Sequence, residues 1–108
     1  MSDDYIRKAF LMSVLDECHI EYEKRHDQIW PELVSTLQKH GARNYSIFLD
    51  STSSKLFAYV EIKDEEAWKE MANTDVCQKW WSYMKDIMET NADNSPVSIE
   101  LKNVFFME

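Results

Sequence analysis

Residues 43–62 read RNYSIFLDSTSSKLFAYVEI, and this stretch decides the fold. Its two ends, Arg43 to Asp50 and Lys55 to Ile62, alternate between apolar and polar side chains, which is typical of β-strands. The residues that share a face are Tyr45, Ile47 and Leu49 in the first strand and Leu56, Ala58, Val60 and Ile62 in the second. The polar run Asp50 to Ser54 between them is typical of a turn. The stretch therefore predicts an antiparallel β-hairpin.

The sequence before the hairpin predicts a strand and then a long helix. Tyr5 to Val14 (YIRKAFLMSV) alternates like the hairpin strands, with Lys8 as the exception. We expect Asp16 to cap the helix at its start and Gly41, the only glycine, to end it. Apolar side chains recur between them at steps of three and four, on one helix face: Cys18, Tyr22, His26, Ile29, Leu33 and Leu37. Trp30-Pro31 predicts a kink or break within this helix.

Two helices and a last strand are predicted after the hairpin. Asp64 is expected to cap a short helix with the sequence DEEAWKEMA. Thr74-Asp75 is expected to cap a second, VCQKWWSYMKDIM, with Gln78 in a capping-box position. Residues 89–96 (ETNADNSP) are predicted to form the longest loop, and Ser98 to Met107 the closing strand.

This order of elements predicts an α+β fold of the ferredoxin-like β-α-β-β-α-β type. It implies a four-stranded antiparallel sheet with helices on one face, in a single domain that covers residues 1–108. The other face also carries apolar side chains, because Phe48, Phe57 and Tyr59 alternate with the residues that face the helices. An uncovered apolar face usually marks a partner, and a symmetric dimer would bury it.

The composition excludes several functions. Lys and Arg total 12 against 20 Asp and Glu, and the net charge of −8 makes nucleic acid a poor partner. We see neither a signal peptide nor an apolar run of about 20 residues, and expect no membrane partner. Two cysteines, Cys18 and Cys77, form no disulfide framework, so we expect a cytoplasmic protein. One glycine cannot make a phosphate-binding loop, and the three histidines lack metal-site spacing.

Tyr22 and His26 are the first candidates for a functional site. They lie four residues apart, so their side chains are neighbours on the apolar face of the predicted helix. One interpretation is a core histidine bonded to a buried tyrosine hydroxyl. The other is a general acid/base, since the usual histidine pKa of about 6.5 allows both donation and acceptance near neutrality.

Trp80-Trp81 and Tyr45 are the second group of candidates. Adjacent helix residues point about 100° apart, so one tryptophan could lie in the core and the other at an edge or dimer contact. Alternatively the pair forms an aromatic platform for a sugar, whose C–H faces pack on indole rings. Tyr45 has the same two interpretations, and residues 91–96 are either a plain loop or the rim of a pocket.

The sequence resembles the L-rhamnose mutarotase family over nearly its whole length, from Ile6 to Phe105. The segments that carry the resemblance are Tyr22 to Leu33, Asn44-Tyr45, Leu49-Asp50, Leu56 to Ala58, Thr74 to Cys77, Trp80-Trp81, Tyr83-Met84 and Asp93 to Pro96. It departs from the family at residues 1–4, which look like an extension, at Lys79 and at Ala92.

The resemblance implies an enzyme that interconverts the α and β anomers of L-rhamnose. It implies that His26 is the proton donor, that Tyr22, Tyr45, Trp80 and Trp81 bind the sugar, and that the protein is a homodimeric α+β barrel without metal or organic cofactor. The partner base stays open between Tyr22, a bound water and His26 acting in both directions. Because folds are reused, a small oxygenase or haem-handling protein and a non-catalytic sugar-binding module are the alternatives.

Overall fold

A computed structural model describes residues 4–108 as a four-stranded antiparallel sheet with helices on one face. The strands are β1 (Ile6–Ser13), β2 (Arg43–Asp50), β3 (Lys55–Ile62) and β4 (Ile99–Leu101). The helices are α1 (His19–Asp27), α2 (Pro31–Lys39), α3 (Glu65–Glu70) and α4 (Asp75–Met84), with short 3-10 helices at Asp16–Cys18 and Met71–Asn73. The strand order β2-β3-β1-β4 is that of the predicted ferredoxin-like fold. Residues 1–3, within the predicted extension, lie outside the described part.

The hairpin has the predicted bounds. β2 and β3 pair antiparallel, with Leu49 opposite Leu56 and Ile47 opposite Ala58. The helix-facing side chains of β3 are at most 1% exposed: Leu56, Ala58, Val60 and Ile62. β1 lies between β3 and β4, so the centre of the sheet forms the floor of the core.

The predicted long helix is two helices. α1 ends at Asp27 and α2 begins at Pro31, with Trp30 extended between them (φ −65°, ψ 127°). Pro31 occupies the first position of α2, where a missing N–H leaves no helical hydrogen bond unmade. Asp16 does not cap the helix through its side chain. Gly41 follows α2 with φ +88°, as predicted, in the left-handed region that favours glycine.

Both helices after the hairpin begin where the sequence predicts. Asp64 caps α3 and Thr74 caps α4, each through a side-chain oxygen that accepts from a backbone N–H. Gln78 does not complete the predicted capping box, because its amide donates to a backbone carbonyl in the preceding turn. α4 ends at Met84 and not at Met88, although Met88 is still buried in the core.

The closing strand is shorter than Ser98 to Met107. β4 pairs only with β1, and residues 102–108 have no regular structure. Phe105, predicted to lie in the closing strand, follows β4 and is 76% exposed. The four residues from Val104 to Met107 are consecutively apolar, so they lack the alternation that would give a strand one buried and one polar face.

The sheet leaves one apolar face uncovered in the single chain, as predicted. We call it the open face, and its largest exposed side chains are Phe48, Phe57, Ile99 and Leu101. Phe48 lies directly opposite Phe57 across the hairpin and is 67% exposed. Tyr59, on the same face, donates its hydroxyl to Glu61 at 2.8 Å. Within residues 4–108, no helix has the length and apolarity needed to cross a membrane.

Candidate active site

A cavity of about 1390 Å³ lies between the helices and the sheet. All five residues singled out from the sequence line it: Tyr22, His26, Tyr45, Trp80 and Trp81. α1 supplies the first two, β2 the third and α4 the tryptophans. Three elements far apart in sequence therefore bring these side chains to one place.

The orientation of His26 is fixed by its own helix. Its ring stacks on Tyr22 with centroids 4.3 Å apart and planes 26° apart. Its Nδ1 lies 3.0 Å from the backbone carbonyl oxygen of Tyr22. A carbonyl only accepts, so Nδ1 carries hydrogen and donates. The bond goes to the carbonyl and not to the tyrosine hydroxyl, and Nε2 is the nitrogen left for a ligand.

Nε2 of His26 is available as a proton acceptor. It has no hydrogen-bond partner among residues 4–108. Every buried side-chain nitrogen or oxygen in this part of the chain has a partner, so the unpartnered Nε2 must be accessible to solvent. Burial lowers the pKa of His26 below the usual 6.5. The hydrogen bond to the Tyr22 carbonyl raises this pKa and so opposes the effect only in part. The resting imidazole is therefore neutral near pH 7, with an unprotonated Nε2, and the His26 side chain lines the cavity.

Tyr22 and Tyr45 supply neutral hydroxyl groups. Burial raises the pKa of both phenols above the usual 10. Neither hydroxyl has a hydrogen-bond partner in the described chain. Although Tyr45 is 38% exposed, it lines the cavity, and its ring edge contacts Phe10 and Trp68. Both phenols can donate to a ligand oxygen.

A β-bulge lies next to Tyr45. The pairing of β2 with β3 shifts between Arg43 and Ser46, and Asn44 has φ +51°. The Asn44 side chain donates to Glu61 at 3.1 Å, which holds this conformation. Bulges are over-represented next to active sites. Strand alternation alone did not reveal this one.

Both tryptophans of α4 reach the cavity. Trp80 is 9% exposed and meets the His26 ring edge-on, with centroids 5.4 Å apart and planes 90° apart. Trp81 is half-buried beside it. Trp30, outside the cavity lining, packs edge-on against Trp80 at 5.0 Å and stacks on Tyr83 at 5.5 Å. Trp30 therefore supports the tryptophan that borders His26.

The structure adds lining residues that the sequence did not single out. Lys8, the exception to strand alternation, donates to Glu100 at 2.9 Å and to Glu65 at 3.2 Å. That break in the alternation was the one signal that could have found it. The 89–96 loop contributes five lining residues, in keeping with the second of its two interpretations, the rim of a pocket: Thr90, Asn91, Asn94, Ser95 and Pro96. His19 lines the cavity as well.

Two kinds of chemistry find no support in the described residues. Cys77 lines the cavity, but burial raises the pKa of its thiol to about 11, so it is a poor nucleophile at neutral pH. No group of three or more His, Cys, Asp or Glu side chains between residues 4 and 108 is placed to hold a metal ion.

The fold and the cavity define a class: a small ferredoxin-like α+β protein with an imidazole, two phenols and two indoles around one cavity. Comparison with known families identifies the family within this class. The family model described as L-rhamnose mutarotase matches residues 7–107, and the chain belongs to that family.

Relatives agree with this assignment. The chain is 64% identical to an L-rhamnose mutarotase of Tolumonas auensis and 58% identical to one of Oceanobacillus iheyensis, each match covering 94% of this chain and 98% of the relative. The crystal structure of an L-rhamnose mutarotase from Formosa agariphila superposes with a TM-score of 0.88 at 44% identity, covering 95% of this chain and 99% of that one.

More distant structures share the fold alone. One is a putative antibiotic biosynthesis monooxygenase from Caulobacter crescentus, with a TM-score of 0.64 at 18% identity. It covers 94% of this chain and 91% of its own. At such identity the likeness concerns the ferredoxin-like architecture and not the chemistry of the cavity.

Proposed function

We propose that this protein is a mutarotase that interconverts the α and β anomers of L-rhamnose. The observation that carries the proposal is the free Nε2 of His26, placed in one cavity with the hydroxyls of Tyr22 and Tyr45 and the indoles of Trp80 and Trp81. The relatives named above are L-rhamnose mutarotases, which supports this substrate.

Mutarotation requires two proton movements and no other chemistry. The anomeric hydroxyl loses a proton, the ring oxygen gains one, and the ring opens to an aldehyde. The carbonyl then turns its other face and the ring closes again, with both protons returned. The reaction involves no oxidation or reduction and no covalent bond to the enzyme. One well-placed acid/base group is therefore a sufficient catalyst, and it raises the rate by about 10² to 10⁴-fold.

His26 is proposed to move the proton in both directions. The neutral Nε2 accepts the proton of the anomeric hydroxyl, and the resulting imidazolium donates it to the adjacent ring oxygen as the C–O bond breaks. Because burial lowers the His26 pKa, the imidazolium is a stronger acid than an exposed one. His26 is thus the proton donor of ring opening, and ring closure reverses the two steps.

The aromatic residues are proposed to bind the sugar. Trp80 and Trp81 offer apolar surface to the C–H face of the pyranose and to the methyl group of a 6-deoxy sugar. Tyr22 and Tyr45 donate hydroxyl hydrogens to ring substituents, and their raised pKa values keep them protonated. The stack on Tyr22 also holds the imidazole plane of His26.

The protein is further proposed to act as a cytoplasmic homodimer. A second copy placed against the open face would bury Phe48, Phe57, Ile99 and Leu101, which stay exposed in one chain. The two cysteines are unpaired, as is usual in the reducing cytoplasm.

Saturation-transfer NMR on L-rhamnose tests the activity. One anomeric proton signal is saturated, and its loss is followed in the other signal with and without protein. We expect catalytic amounts of protein to transfer saturation between the two anomers far faster than buffer does. An exchange rate equal to that of buffer would refute the proposal, even if tryptophan fluorescence reported sugar binding.

A further inference from the structure

A second histidine of α1 is held by a partly buried hydrogen-bond chain. The hydroxyl of Ser54 donates to Oδ1 of Asp16 at 2.6 Å, and its oxygen lies 2.8 Å from Nε2 of His19. Ser54 is 6% exposed and has φ +62°, an uncommon conformation for a residue other than glycine. The turn and the helix start are thus joined through polar side chains.

This chain fixes which nitrogen of His19 carries hydrogen. Ser54 has one hydroxyl hydrogen and gives it to Asp16, so its oxygen must accept at the other contact. Nε2 of His19 is therefore the donor, and in the neutral ring Nδ1 is an unprotonated acceptor. This assignment is the opposite of that in His26, where Nδ1 donates.

His19 lies at the same cavity as His26. His19 lines that cavity, and Nδ1 has no partner among the described residues and is not sealed from solvent. His19, Tyr22 and His26 lie on one face of α1. At about 1.5 Å of rise per residue, His19 lies on the order of 10 Å from His26 along the helix axis. It therefore meets a different part of a ligand from the atoms that His26 reaches.

We propose that His19 is a further substrate-binding residue, whose Nδ1 accepts a hydrogen bond from a hydroxyl of the sugar. Ser54 and Asp16 are positioning residues that fix the ring and its tautomer. The inference rests on the proposed function, since it assigns a second contact to the same sugar. An acceptor fixed in this way would favour sugars that carry the matching hydroxyl over analogues that lack it.

Two substitutions of His19 separate its nitrogens. In His19→Gln, the amide can keep the contact that Nε2 makes to Ser54 but places nothing at Nδ1. In His19→Asn, the amide oxygen can take the place of Nδ1. His40→Gln is the matched control, because His40 lies outside the cavity lining and bonds the carbonyl of Thr36 in its own helix.

The measurement is the anomer-exchange rate of each variant as a function of L-rhamnose concentration. We expect His19→Gln to raise KM about two- to twelvefold, the effect of one lost hydrogen bond, with kcat nearly unchanged. His19→Asn should recover part of this loss, and His40→Gln should behave like the wild type. A wild-type KM in folded His19→Gln, or a fall in kcat alone, would overturn the inference.

Deoxy sugars identify the contact. Wild type and His19→Gln are compared on L-rhamnose analogues that lack one ring hydroxyl each, at carbon 2, 3 or 4. For one analogue the two proteins should have the same KM, because the hydroxyl that His19 binds is already missing. An equal rise in KM on all three analogues would mean that the substitution disturbs the cavity as a whole, and would overturn the inference.

Ser54→Gly tests the positioning role. Glycine tolerates the positive φ of Ser54 and removes the hydroxyl together with its Cβ. We expect KM to rise in the same direction as in His19→Gln, and the double variant to be no worse than His19→Gln alone, because both act through one nitrogen. Additive effects would overturn that role. If the wild type does not accelerate the exchange of L-rhamnose anomers, the proposed function fails. If the wild type is active and the His19 and Ser54 variants have the same KM as the wild type, only the His19 inference fails.

Discussion

Trp30→Leu should weaken both the fold and the activity, although Trp30 lies outside the cavity lining. Its ring packs edge-on against Trp80 at 5.0 Å and stacks on Tyr83 at 5.5 Å, and Trp80 in turn borders His26. Leucine keeps an apolar side chain at this position but forms neither ring contact. The substitution therefore removes the support behind Trp80 without replacing any residue that lines the cavity.

The magnitude follows from the two lost contacts. An aromatic pair contributes about 0.5–1.5 kcal/mol beyond the area it buries, so two pairs give about 2 kcal/mol. In a domain of this size, a loss of that order lowers Tm by roughly 10 °C. A tilt of Trp80 also misplaces the sugar relative to Nε2 of His26, and we expect kcat/KM to fall by about tenfold.

The assay separates the two effects. Tm comes from calorimetry, and anomer exchange is measured by NMR well below the Tm of the variant, so that unfolding does not contribute. Val76→Ala is the matched control: Val76 is 6% exposed and lies outside the cavity lining, and the loss of its methyl groups costs about 2 kcal/mol. It should lower Tm alone. A Trp30→Leu variant that loses stability but exchanges sugar like Val76→Ala would refute the supporting role.

Three further predictions concern the pH profile, the dimer and the chain reversal after α2. Because the proposed mechanism uses neutral His26 and burial lowers its pKa, kcat/KM should be flat from pH 8 to 7 and fall about tenfold per unit below that pKa; a rate that falls as pH rises would contradict this. Phe57→Lys on the open face should convert the proposed dimer into monomers in light scattering, and a wild type that is already monomeric would contradict the proposed assembly. Gly41→Ala should lower the free energy of unfolding in urea by at least about 1–2 kcal/mol, since φ is +88° and the added Cβ would lie 2.8 Å from Cβ of Lys63; equal stability would show that the turn relaxes.

The fold was predictable where the signal is local. The hairpin strands alternate cleanly, and their bounds, Arg43–Asp50 and Lys55–Ile62, agree with the structure. Pro31 was ambiguous, because the same residue kinks a helix from within or begins a new one. The length of β4 depends on pairing with β1, about 90 residues earlier in the chain. Apolar content alone could not set that length.

The individual residues of the candidate site were predictable from the sequence, but their grouping around one cavity was less so. Helix periodicity placed Tyr22 beside His26, but the residues alone could not decide between a core pair and an acid/base group. The resemblance to a family, and not the spacing, grouped them with Tyr45 and the tryptophans. The bulge at Asn44 and the bond between His19 and Ser54 join positions that no short pattern connects.

The most direct test of the central claim is the anomer-exchange rate of His26→Asn. Its amide can keep the donor to the Tyr22 carbonyl while removing Nε2, and His40→Asn is the matched control. We expect exchange to fall by about 10² to 10⁴-fold with little change in sugar affinity by tryptophan fluorescence. A folded His26→Asn variant that exchanges L-rhamnose at the rate of the control would contradict the role of His26 in moving the proton.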